Sequence, residues 1–161
     1  MSQLLSIYLN DHLAAASAGV ELARRAAASH DGFTAAPTLH DLAEELAADR
    51  DALLELMGSI DVPVRTYKVY LGWAAEKIGR LKLNGRIVRR SPLSTLVELE
   101  GLAVAVHAKM AGWRTLRAVA DSDDRVDARR LDGLIARAHR QADTVEQLRV
   151  SAAATLFGDG S

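Results

Sequence analysis

Glu100 and His107 lie seven residues apart inside the apolar run LEGLAVAVHAKM, residues 99–110. Carboxylate and imidazole groups bind metal ions and also serve as acid–base catalysts. In a helix, seven residues make two turns, so the two side chains share a face but lie about 10 Å apart along the axis. Both could bind one ion only if the helix bent. The pair is therefore either part of a metal site or a structural pair in a helical core.

Helical periodicity runs through nearly the whole chain. Long amphipathic segments are predicted at about residues 2–29, 38–60, 91–120 and 126–157. Thr38 and Asp41 have the spacing of a capping box, and Ser91 can cap the third of these helices with Pro92 in its first position. The sequence predicts an all-α four-helix bundle of two helical hairpins. A fifth, crossover helix is predicted at about residues 61–90, and residues 1–161 are expected to form a single domain.

The composition excludes several kinds of chemistry. The chain has no cysteine, which rules out disulfides, thiolate zinc sites and iron–sulfur clusters. No apolar stretch reaches the roughly 20 residues of a membrane-spanning helix, and the N-terminus lacks the basic region of a signal peptide. We therefore expect a cytoplasmic protein.

Polar residues interrupt the apolar stripe of each long segment. Projection at 100° per residue places Glu100 and His107 on the inner face of the third segment, and His12 on that of the first. Buried charges need partners. An ion pair between Glu100 and Arg149, with His107 hydrogen-bonded nearby, would therefore explain these residues without a ligand. The predicted buried polar network consists of Glu100, His107, Arg149, Asp49 and Arg114.

The functional alternative is a metal site. If the first and third long helices face each other, His12 could join Glu100 and His107 as a ligand. Iron, manganese or zinc would then be the metal, whereas the structural interpretation implies no cofactor. No phosphate-binding glycine loop, serine elbow or paired catalytic carboxylates occur, which favours a protein that is not an enzyme.

Charge is distributed unevenly along the chain. Residues 61–90 carry eight basic and two acidic residues, a net charge of +6, and residues 31–60 carry one basic and seven acidic residues, a net charge of −6. These segments could neutralise each other within the chain or between subunits. The alternative is that the basic segment, residues 65–90, meets a nucleic acid or an anionic membrane surface. Its predicted basic surface comprises Arg80, Lys82, Arg86, Arg89 and Arg90.

Two helical hairpins, a long crossover and inward Glu and His side chains resemble the ferritin-like superfamily. The stretches YLNDHLAAASAGVELARR and EKIGRLKLNGR also resemble an uncharacterised bacterial ferritin-like family. The superfamily's metal sites use a Glu-x-x-His motif, and this chain contains none. The resemblance thus implies the architecture with a degenerate or absent metal site. The expected function is non-catalytic, through self-association as a homo-oligomer or through binding of a protein partner, with a metal-binding or oxidoreductase protein as the alternative.

Overall fold

The computed structural model describes residues 3–29, 35–65 and 92–158. These residues form four α-helices and no strand: α1, Gln3–Ser29; α2, Ala36–Ser59; α3, Pro92–Val119; and α4, Ala128–Gly158. The all-α prediction and its four long helices are confirmed. Of the predicted crossover helix, only residues 61–65 are described, and they contain no helix; the rest lies outside the described residues.

Helix ends differ in part from the expected caps. α2 begins at Ala36 with Pro37 in its first turn and without a side-chain cap, so the capping box predicted at Thr38 is wrong. Proline has no N–H to leave unbonded and fits the first turn of a helix, which lets the helix begin before Thr38. α3 begins at Pro92, as predicted, while Ser91 lies outside the described residues. Asp127 caps α4, because its Oδ1 accepts a hydrogen bond from Arg130 N at 3.1 Å.

The end of α2 is a Schellman turn. Val62 N donates to Met57 O at 2.9 Å, and Asp61 N donates to Gly58 O at 3.2 Å. Asp61 takes the left-handed conformation that this turn requires, with φ of 56°. The chain then passes beside α1, where Asn10 accepts a hydrogen bond from Arg65 N at 2.7 Å and donates to Pro63 O at 3.1 Å. Asn10 therefore ties the chain after α2 to the first helix.

The helices pack as two hairpins, α1 with α2 and α3 with α4, joined by close contact between α1 and α3. The buried apolar side chains fall into two clusters, one at each end of the bundle. One contains Leu9, Leu13, Met57, Trp113 and Leu131 among others. The other is built around Val20, Leu39, Leu102, Val106 and Val145. Between these clusters, α2, α3 and α4 each contribute polar side chains, and these form the candidate site.

Candidate functional site

Asp49 on α2 is fully buried and accepts four hydrogen bonds. Arg137 on α4 donates two of them to Oδ1, from Nε at 2.8 Å and from its terminal nitrogen. At Oδ2, Lys109 on α3 and Gln141 on α4 donate the other two, the latter at 3.1 Å. Three helices thus converge on one carboxylate. We call Asp49, Lys109, Arg137 and Gln141 the polar layer.

The polar layer continues outward through Gln141. The Gln141 side-chain carbonyl accepts a hydrogen bond from Lys109, and its amide donates to Glu45 at 2.8 Å. Two cations, Lys109 and Arg137, contact the single carboxylate of Asp49, and Glu45 supplies a second negative charge at the exposed edge. The buried charges therefore have partners, as burial requires.

A cavity of about 20 Å³ adjoins the polar layer between α1, α2 and α3. Its polar lining comes from His12, Asp49, Lys109 and Trp113. The remaining lining residues are apolar or glycine: Leu9, Ala16, Leu53, Gly112 and Leu116. Trp113 is 2% exposed, and its Nε1 has no hydrogen-bond partner among the described residues. This cavity accepts a water-sized occupant.

Burial changes the acid–base properties of two groups that line the cavity. It lowers the pKa of the Lys109 ammonium below its ordinary 10.5, while the carboxylate of Asp49 acts in the opposite direction. Burial also lowers the pKa of the His12 imidazole below 6.5, opposed by the charge of Asp11. In both cases the dominant cause is the loss of water around the charged form. At neutral pH, His12 is therefore held further toward its uncharged form than an exposed histidine.

His12 is positioned by aromatic and backbone neighbours. Its ring packs against Tyr8, with 4.4 Å between the ring centroids, and Tyr8 donates to Thr115 Oγ1 at 3.0 Å. On its other neighbour, α3, Gly112 leaves room for the ring: a Cβ at this position would lie 2.9 Å from His12 Nδ1. The absence of a side chain at Gly112 is what lets the imidazole lie against α3.

Glu100 and His107 are both exposed on α3, so the prediction that they point into the core is wrong. The buried stripe of α3 is instead formed by Leu96, Leu99, Leu102, Val106, Met110 and Trp113. The projection failed because Val97 and Val104 are also apolar, although they are exposed, and they shifted the calculated inner face around the helix.

The predicted Glu100–Arg149 pair is replaced by a pair within α4. Arg149 donates to Glu146 through two hydrogen bonds of 2.7 Å, which lower the pKa of that carboxyl and raise the pKa of the guanidinium. Glu100 acts on Arg149, and His107 on Glu146, only as nearby charges. His107 Nδ1 lies 2.8 Å from the carbonyl oxygen of Ala103 in its own helix. Glu100, His107, Glu146 and Arg149 therefore form a surface group, separate from the polar layer.

The remaining site predictions have mixed outcomes. Asp49 is buried, as its place in the second helix predicted, but its partners are Lys109, Arg137 and Gln141. Arg114 was placed in the buried network, yet it is exposed and lies 3.0 Å from His139 Nε2. The predicted basic surface, Arg80, Lys82, Arg86, Arg89 and Arg90, lies outside the described residues.

The three residues proposed as metal ligands do not come together. His12 lines the cavity, whereas Glu100 and His107 lie at the surface near α4. Within residues 3–29, 35–65 and 92–158, no group of three or more His, Asp or Glu side chains is arranged to hold a metal ion.

Sequence reasoning missed Lys109, Arg137 and Gln141. Lys109 stands one residue from the apolar stripe of α3, and Arg137 and Gln141 are four residues apart on α4. A lysine beside an apolar stripe normally extends to solvent along its aliphatic stem. The one available signal was Asp49 itself, a buried carboxylate that required cationic partners.

None of the described helices combines the length and hydropathy needed to cross a membrane. Comparisons of the chain with protein-family models, with curated proteins and with solved structures find no match.

Proposed function

We propose that this chain is a non-catalytic, ferritin-like helical bundle that acts by self-association. The main support for this proposal is a band of exposed apolar side chains on α3 and α4. The band consists of Leu93, Val97 and Val104 on α3 and of Val150 and Phe157 on α4. Val104 and Phe157 are the most exposed, at 70% and 68%. We call these five residues the apolar band.

Helical spacing supports a continuous band. Leu93, Val97 and Val104 are separated by four and seven residues, and Val150 and Phe157 by seven, so each set shares one face of its helix. Arg117 donates to Asp132 at 3.0 Å between the antiparallel helices, which brings the start of α3 level with the end of α4. Glu100 lies between Val97 and Val104 on α3. Its charge acts on Arg149, the residue before Val150 on α4.

Exposed apolar side chains that share a surface are typical of protein interaction sites. The surface group of Glu100, His107, Glu146 and Arg149 adds charges of both signs beside the apolar band. A two-fold dimer brings the same patch of both copies together, and a patch with charges of both signs can pair with itself. A second copy of this chain is therefore the partner that we propose.

The hydrogen bonds of the polar layer support the absence of catalysis by its carboxylate. The buried carboxylate of Asp49 accepts four hydrogen bonds, which come from Lys109, Arg137 and Gln141. A general base or a metal ligand needs free lone pairs to accept a proton or an ion.

Analytical ultracentrifugation tests the proposal. We expect the wild-type chain to sediment as a dimer of the 17.3 kDa protomer, and Val104→Glu to sediment as a monomer with unchanged helical circular dichroism. Leu4→Glu is the matched control, because Leu4 is 77% exposed but lies on α1, outside the apolar band. A wild-type chain that stays monomeric at its highest soluble concentration would contradict self-association.

Elemental analysis tests the metal-binding alternative with the same preparations. Near-stoichiometric iron, manganese or zinc that is lost on substitution of His12 by Leu would favour that alternative. It would contradict the non-catalytic proposal only if redox activity accompanied the metal.

A further inference from the structure

The exposed face of α3 carries a regular repeat along nearly its whole length. Residues spaced alternately four and three apart, from Leu93 to Ala118, are all exposed. We call them the α3 stripe: Leu93, Val97, Glu100, Val104, His107, Ala111, Arg114 and Ala118. This alternation is the heptad spacing through which one helix packs along another. The α3 stripe therefore fits a second helix.

The α3 stripe contains two kinds of position. Every second member is apolar, and these are Val97, Val104, Ala111 and Ala118. The other members are Leu93, Glu100, His107 and Arg114. Glu146 and Arg149, beside the stripe on α4, bond to each other, and Arg114 contacts the ring of His139. The stripe thus has a negative charge at Glu100 and a positive charge two turns of a heptad later at Arg114.

This order of charges determines how the stripe can pair with itself. In a parallel two-fold pair, each residue lies opposite its own copy, so Glu100 would meet Glu100 and Arg114 would meet Arg114. Like charges in contact oppose association. In an antiparallel pair, the acidic part of one stripe lies along the basic part of the other. The charges therefore favour the antiparallel direction.

The length of the stripe determines the register. Two-fold symmetry requires that if one residue lies opposite a second, the second also lies opposite the first. When Val104 lies opposite His107 of the second copy, the other opposed pairs are Val97 with Arg114, Ala111 with Glu100 and Ala118 with Leu93. All eight residues are then paired, whereas a slide by one heptad leaves some of them without a partner. In this register, Glu100 lies about 4.5 Å along the axis from Arg114 of the second copy, which is within reach of an ion pair.

We propose that α3 packs antiparallel along α3 of a second copy of this chain, with Val104 and His107 beside the two-fold axis. This inference rests on the proposed self-association, and it adds the contact, the direction and the register. Two ion pairs between Glu100 and Arg114 select the direction. The small side chains of Ala111 and Ala118 leave room for Glu100 and Leu93 of the second copy. Polar residues within a heptad stripe are known to specify register in this way.

Disulfide cross-linking tests the direction and the register. The natural chain has no cysteine, so each introduced cysteine reports one contact. We expect an equimolar mixture of Leu93→Cys and Ala118→Cys to form a disulfide dimer that contains one copy of each variant, as measured by mass spectrometry. Ala118→Cys alone should not cross-link, because antiparallel packing places its two copies about 37 Å apart along the axis. Cross-linking of Ala118→Cys alone, or no mixed disulfide, would overturn the proposal.

Charge exchange tests the ion pairs by sedimentation. Glu100→Arg should raise the dissociation constant of the dimer about tenfold, because it places like charges together at two symmetric contacts. The double variant Glu100→Arg, Arg114→Glu should restore the wild-type constant. Glu21→Arg is the matched control, because Glu21 is exposed on α1 outside the stripe; it should leave the constant unchanged. A double variant no tighter than Glu100→Arg would contradict this pairing.

The two proposals fail in different ways. A wild-type chain that stays monomeric would refute self-association and the α3 pairing together. A wild-type dimer that gives no mixed disulfide between Leu93→Cys and Ala118→Cys would refute the α3 pairing and leave self-association standing.

Discussion

The helix pair α1–α3 and the helix pair α2–α4 pack through different kinds of side chain. Between α1 and α3, small residues allow close approach: a Cβ on Gly19 would lie 3.4 Å from Ala105, and a Cβ on Gly101 would lie 3.1 Å from Leu22. The backbones of α2 and α4 scarcely approach each other, and long polar side chains bridge the middle of the space between them. The first interface depends on shape and the second on charge, so they should respond to different mutations.

The largest effect is expected where the charged interface is buried. Asp49→Asn keeps the shape of the side chain but removes the buried counter-charge that Lys109 and Arg137 contact, so we expect a loss of about 3–5 kcal/mol in the free energy of unfolding. Urea denaturation measures this loss. The triple variant Asp49→Leu, Lys109→Met, Arg137→Met should recover much of it, because apolar replacements of a buried ion cluster are often neutral or stabilising. A loss below about 1 kcal/mol in Asp49→Asn would show that water already solvates the layer.

The interface between α1 and α3 should be weakened by the addition of a single methyl group. Gly112→Ala brings a Cβ to 2.9 Å from His12 Nδ1, and we expect it to destabilise the protein by about 1–2 kcal/mol despite the higher helix propensity of alanine. Gly133→Ala on α4 is the matched control, because a Cβ there meets no atom of the described residues within 4 Å. It should stabilise the helix by up to about 1 kcal/mol. Thermal unfolding compares the two variants. Equal effects in both would show that the ring of His12 moves away without cost.

His12 should give the bundle a pH dependence of its own. Its pKa in the folded chain is below 6.5 because of burial, so the unfolded chain binds the proton more readily. The charged form of His12 therefore lowers the free energy of unfolding at acidic pH. This free energy rises as the pH rises through the interval below 6.5, and above that interval His12 no longer lowers it. Urea denaturation at pH 5 and pH 7 should show a smaller rise in His12→Gln than in the wild type. The contributions of Lys109, Asp123 and Glu146 are common to both chains and cancel in this comparison.

The smallest effect is expected at the exposed end of the charged interface. Glu55 on α2 accepts a hydrogen bond from Arg130 on α4, but both side chains are substantially exposed. Exposed ion pairs contribute little, so Glu55→Gln should change the free energy of unfolding by no more than about 0.5 kcal/mol. Urea denaturation of this variant and of Asp49→Asn would show how strongly the contribution of an ion pair to the free energy of unfolding depends on its burial. A loss approaching that of Asp49→Asn would mean that the charges act as one network.

The four helices could be predicted because apolar spacing, Pro92 and the loops determine them locally. Asp49 was placed correctly because α2 alternates clearly between an apolar and an acidic face. Glu100 and His107 were misplaced because α3 carries apolar residues on both its buried and its exposed face, which leaves the orientation of the helix to tertiary packing. The partners of Asp49 depend on which helices are neighbours and at what level, and periodicity within one helix contains no such information.

The polar layer also has a consequence for how α2 and α4 align. Leucine and alanine side chains pack in several ways, so the two apolar clusters alone would tolerate a slide of α4 along α2 by one turn. Asp49 does not: a shift of about 5.4 Å would remove Arg137 and Gln141 from its oxygens and leave a buried carboxylate without them. We therefore expect the layer to act as a register key, a feature that selects one alignment of the bundle whatever it contributes to total stability.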